Sequence, residues 1–121
     1  MPADRQAFAH DAVLTVDGGD DRAPGGAITV ALCGSWSHDP PCPLAPHHTR
    51  VHRSGEEVSL RVLFAAAPAD EARVRRVIDD ALARGWGDTP EGSRTTWQLL
   101  SSGPSEVRIE EEDHARRLIR N

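Results

Sequence analysis

The sequence predicts an α+β fold: a mainly antiparallel sheet with one principal helix packed on one face and a short C-terminal helix. Three observations carry that expectation. Val58, Leu60, Val62 and Phe64 alternate with Ser59 and Arg61, which is the period of a half-buried strand. Val74, Val77, Ile78, Ala81 and Leu82 recur at helical spacing and define one apolar stripe. Short strand-like runs separated by turn signals surround that single strong helix, an order that suits a sheet covered on one side.

Taken in order, Ala12 to Val16 reads as a strand, followed by the turn-forming tract DGGDDRAPGG at residues 17–26. Ile28, Val30 and Leu32 alternate with Thr29, Ala31 and Cys33, so a second strand is expected there, closing a hairpin with a long acidic tip. His48 to His52 reads as extended, and Ser54-Gly55-Glu56 turns the chain into the strand at 58–64. Pro68 suits the first turn of the following helix, where its missing N–H is no loss, and Gly85 stops it. Residues 86–93 read as a loop and Thr95 to Leu100 as a strand, punctuated by Gly103-Pro104. Val107 to Ile109 is short and extended. Glu111 to Arg120 closes the chain as a helix, with acids at its start and arginines at its end to suit the dipole. A strand–helix–strand unit over 58–100 is right-handed if its strands lie parallel in one sheet. Small sandwich-like and ferredoxin-like layouts both accommodate this order.

A chain of 121 residues has the length of a single domain spanning 1–121, large enough to bury a core without staples. The net charge of −5, the absence of a basic stripe and the lack of tyrosine argue against a nucleic-acid partner. The first residues carry no apolar signal core, and no run approaches a membrane span. A cytoplasmic location with reduced thiols follows, which disfavours a Cys33–Cys42 disulfide.

The segment CGSWSHDPPCPLAPHHTRVH, residues 33–52, concentrates chemistry: both cysteines, four of the six histidines and four prolines. Each proline fixes φ, so side chains on this segment converge at low entropic cost. One reading is a transition-metal site, with His38, Cys42, His47 or His48, and Cys33 as ligands; two thiolates and two imidazoles suit zinc. The spacing copies no established zinc motif, and His48 and His52, four residues apart on a strand, stand roughly 13 Å from each other. A thiol enzyme with Cys42 as nucleophile is a further reading, but Pro43 supplies no amide for an oxyanion hole. Ser35, His38 and Asp39 lie too close in sequence for a triad, and the nucleophile elbow is absent. Asp17, Asp20 and Asp21 lack the calcium-loop pattern. His10-Asp11 and Asp113-His114 are acid–base neighbours read as surface chemistry.

The leading expectation is therefore a small non-catalytic binding or accessory protein that acts through the rigid segment 36–52 on a protein partner. Trp36, Pro43, Pro46 and His52 are its expected partner contacts, with Trp86 and Trp97 as further candidate anchors. Pro43-Leu44-Ala45-Pro46 also matches the P-x-x-P pattern, a weak signal inside a folded domain.

Overall fold

A computed structural model describes residues 5–16, 19–33, 45–88 and 92–120. Five strands form one antiparallel sheet that curls into a half-barrel: β1 (Gln6–Val16), β2 (His47–Ser54), β3 (Glu57–Ala66), β4 (Trp86–Asp88) and β5 (Arg94–Ser105), in the order β2-β3-β1-β5-β4. Three helices accompany it: α1 (Ala23–Cys33), α2 (Glu71–Ala83) and α3 (Glu112–Arg120). β1 pairs antiparallel with both β3 and β5, so those two run parallel on either side of it, joined through α2. Leaving aside the short β4, the connectivity is βαββαβ with the interleaved strand order of a ferredoxin-like plait.

The core divides by side-chain alternation. Leu14 and Val16 of β1, and Val58, Leu60, Val62 and Phe64 of β3, pack with Ile28 and Leu32 of α1 and with Val74, Ile78 and Leu82 of α2. Ala9, Leu63 and Ala65 point the other way and meet Leu118 of α3. β3 is thus buried on both faces for most of its length. The turn between β2 and β3 relies on Gly55, whose φ of 64° lies where glycine is strain-free.

The expected strand at 28–33, and the acidic-tipped hairpin with it, is replaced by helix α1. This run is apolar all round, so its alternation carried no information about which face was buried. Ile28 and Leu32 stand four apart on one helical face and are buried, whereas Val30, between them, is exposed. Asp20 starts the helix: its carboxylate accepts from the Arg22 amide at 2.9 Å and its carbonyl from the Ala23 amide at 3.0 Å. Pro24 falls in the first turn, where it is tolerated. Gly25 lets the helix lie close to β2, since a Cβ there would meet the Thr49 methyl at 3.3 Å.

Smaller differences have equally local causes. β1 begins six residues earlier than expected because His10 and Asp11, which break the apolar run, are strand residues. Part of the expected 86–93 loop pairs with β5 as β4. β5 continues through Gly103-Pro104, because beyond Trp97 its outer side faces no strand among the described residues and a proline's missing donor costs nothing on an edge. Ile109 belongs to a 3₁₀ turn, Ile109–Glu111, that leads into α3. Two helices, not one, cover the principal face. Among the described residues no helix is long and apolar enough to cross a membrane.

Candidate functional site

β2 is one of the two edges of the sheet, and no strand among the described residues pairs with its outer side. Five of its eight residues are histidine or arginine, in a chain whose net charge is −5, and none is acidic. The carbonyl of Pro46 accepts from the Ala65 amide at 3.0 Å, and the register continues as His48↔Leu63 and Arg50↔Arg61. In an antiparallel ladder the hydrogen-bonded positions alternate. The main-chain groups of His48, Arg50 and His52 therefore face β3. Those of His47, Thr49 and Val51 face outward.

Side chains alternate as well. His47, Thr49 and Val51 turn toward α1 and, with Gly25, Gly26 and Thr29, line an open cleft of about 330 Å³ beside the edge. The two glycines leave it wide. The Thr49 hydroxyl is buried there without a hydrogen-bond partner among the described residues. His47 donates from Nδ1 to the Ala45 carbonyl at 3.2 Å, and its Nε2 lies 3.1 Å from the Thr29 hydroxyl, which itself donates to the Gly25 carbonyl at 3.2 Å. On the opposite face His48, Arg50 and His52 are exposed in a row. The His48 ring packs on His114 of α3, with centroids 4.5 Å apart. Burial, then the charges of His114 and Arg50, push the His48 imidazole below its ordinary range.

Of the residues expected to form the site, Cys33, Pro46, His47, His48 and His52 are among the described residues. Trp36, His38, Cys42 and Pro43 lie outside the described residues. Cys33 is the last residue of α1 and not on a strand as expected. Pro46 is buried at the start of β2, its carbonyl tied to the sheet, so it does not end an exposed P-x-x-P ligand. His47 and His48 project from opposite faces and do not share a ligand shell. Among the described residues no three histidine, cysteine, aspartate or glutamate side chains gather as a metal site. Asp20 is occupied by the Arg22 guanidinium at 2.6 Å.

The tryptophans are also engaged. Trp97 is buried, and its indole donates to the Leu82 carbonyl at 2.8 Å. Trp86 has the guanidinium carbons of Arg84 and Arg94 at 4.0 and 3.8 Å from its ring centre, a pair of cation–π contacts.

One polar cluster was not foreseen. His10, expected at the surface, is 1% exposed. Its Nε2 lies 2.8 Å from the Ser102 hydroxyl and 3.1 Å from Asp79 Oδ1, and Ser102 in turn donates to that carboxylate. Arg75 donates from Nη1 at 3.0 Å to His10 Nδ1, and an arginine can only donate. The proton is therefore on Nε2. Serine, histidine and aspartate are present, but the carboxylate and hydroxyl share one ring nitrogen, and that nitrogen is a donor. The imidazole cannot take a proton from Ser102 in this arrangement, so the cluster fastens α2 to β1 and β5 and does not activate a nucleophile. The sequence signal for it was a histidine at a core-facing strand position, in phase with Ala12 and Leu14.

Comparison with protein-family models and with curated proteins finds no match to this chain.

Proposed function

We propose that the chain is a small non-catalytic binding protein that captures an extended acidic segment of a protein partner as an added strand on β2. The observation that carries this reading is that, among the described residues, no strand pairs with the outer side of β2, where the main-chain groups of Thr49 and Val51 turn outward beside a cleft. Strand addition draws affinity from main-chain hydrogen bonds and selectivity from pockets for alternate side chains. Here one set of partner side chains would fall toward Gly25, Gly26 and Thr29 and should be small or apolar. The other set would fall beside His48, Arg50 and His52 and should be acidic.

Arg50 and Arg53 on this edge also discourage pairing between copies of the chain, because like charges would then face each other. An acidic partner turns the same charges to advantage. The reading keeps the working surface within residues 36–52 and moves its centre to the edge strand.

Titration of the isotope-labelled protein with a capped peptide alternating valine and glutamate tests it. Shifts should concentrate on residues 47–53 and on Gly25 and Gly26, and a valine–lysine peptide should bind far more weakly. Thr49→Pro removes an outward amide while leaving the β3-facing bonds in place, and it should weaken the acidic peptide at least tenfold, about 1.4 kcal/mol. Equal binding of both peptides, or an unchanged affinity in Thr49→Pro, would contradict the reading.

A further inference from the structure

A second cleft, of about 440 Å³ and broadly open to solvent, lies where the start of β1, the end of β5 and the first turn of α2 meet, on the far side of β3 from the β2 edge. Phe8, Pro104 and Val107 give it apolar walls, and Glu71, Arg75 and Glu106 bring charge to it. Arg75 is held unusually firmly for an arginine beside a cavity. Its Nε donates to Glu71 at 2.8 Å, and its Nη1 donates to the Ala9 carbonyl at 2.7 Å and to His10 at 3.0 Å. The guanidinium carbon also sits 5.3 Å from the Phe64 ring centre and 5.9 Å from that of Phe8. Its remaining terminal nitrogen, Nη2, has no hydrogen-bond partner among the described residues, although five N–H donors sit on the group.

A donor fixed in this way loses little entropy when it takes a ligand acceptor. The charges around it decide which acceptor. Glu71 offsets the guanidinium, and Glu106 adds a further negative charge at the rim, so the lining as a whole carries one excess negative charge. A carboxylate ligand would meet Arg75 but be repelled by that excess. An ammonium ligand would suit Glu106 but oppose the guanidinium and its unengaged donor. A neutral carboxamide satisfies both, with its carbonyl oxygen accepting from Arg75 Nη2 and its N–H donating toward Glu106. The apolar walls call for a hydrocarbon or aromatic body behind it.

We infer that the cavity between β1, β5 and α2 binds an uncharged carboxamide on an apolar body, with Arg75 Nη2 as the donor that orients it. This site is independent of the β2 edge and does not rest on strand addition.

Three probes of one shape and different charge test it: benzamide, benzoate and benzylamine, titrated into the full chain and followed by amide shifts and by the Arg75 Nε–H resonance. Benzamide should move Ala7, Phe8, Val107 and the Arg75 side chain at millimolar concentration, and should bind roughly threefold or more tightly than benzoate, as expected for one solvent-screened like charge. Glu106→Gln, a change at an exposed side chain, should narrow that gap by raising benzoate affinity. Arg75→Lys should lose benzamide binding; if that variant does not fold, the Glu106→Gln result decides alone. Absence of shifts at Ala7, Phe8 and Val107, benzoate or benzylamine binding as tightly as benzamide, or a gap unmoved by Glu106→Gln would each overturn the assignment.

Discussion

Arg61 of β3 and Glu111, at the head of α3, form a two-bond fork, with Nε 2.8 Å from Oε2 and Nη2 2.6 Å from Oε1. Both are buried against the sheet face that α3 covers. The same guanidinium also reaches Asp11 at 2.9 Å and the Glu106 carbonyl at 2.6 Å, so one side chain ties β1, β3 and the chain leading to α3. Removing Glu111 leaves the buried Arg61 guanidinium with the half-exposed Asp11 as its counter-charge, and losing a buried partner from one side costs more than the pair contributes. Glu111→Ala should therefore destabilise the fold by about 3 kcal/mol in urea unfolding. Replacing both partners, as Arg61→Met with Glu111→Leu, should recover much of that loss. Equal destabilisation by the single and double variants would show that the fork is not the cause.

The same pair sets an acid limit. The Arg61 guanidinium, above all, holds the Glu111 carboxyl down from 4.5 to about 2, with the Arg108 amide helping. A depressed carboxyl stabilises the fold fully above its unfolded value and loses that contribution as the proton returns. Stability should thus fall as pH drops from about 4.5 toward about 2, and Glu111→Gln should flatten that part of the profile. Chemical unfolding across this window checks it; parallel profiles for the two proteins would exclude Glu111 as the source.

His10 adds a milder dependence at higher pH. Burial is the main force lowering its pKa from 6.5, with Arg75 acting in the same direction, while Asp79 and Asp11 oppose it. Because the unfolded chain takes up the proton first, this contribution is complete above 6.5 and declines as pH falls below that value. Imidazole titration by NMR should show a midpoint below 6.5 and a proton on Nε2 in the neutral ring. A midpoint above that value, or a proton on Nδ1, would refute the bonding assigned to Arg75.

Thr49 separates stability from binding. Its buried hydroxyl has no partner among the described residues, so Thr49→Val should be neutral or stabilising by up to about 1 kcal/mol in thermal or urea unfolding. The main-chain amide is untouched, and peptide capture should persist. A loss of stability of similar size would mean that the hydroxyl is satisfied in solution.

The parts of the fold legible in the sequence were those whose two faces differ. α2 and α3 each carry an apolar stripe and a charged side, and β3 shows alternation along its length. α1 has no such contrast, and a wholly apolar run fits a strand and a helix equally well. Arg61 stands on the polar side of the β3 alternation, which is usually open to solvent, and His10 precedes the strand expected from Ala12 onward. Their partners, Glu111 and Asp79, are brought near only by tertiary pairing. The extended character of 48–52 was readable, but its place at the sheet edge follows from strand order, which local patterns do not specify. The cluster of histidines and cysteines drew the metal expectation through density in sequence. Strand alternation sends His47 and His48 to opposite faces, so one of them at most joins His38 and Cys42, as that expectation has it.

Amide hydrogen exchange on β2, with and without the valine–glutamate peptide, tests strand addition most directly. The amides of His48, Arg50 and His52 should be protected in both states, while those of Thr49 and Val51 should exchange rapidly alone and become protected on binding. Slow exchange at Thr49 and Val51 in the free protein, or no change there in the saturated complex, would contradict an open edge that receives a strand.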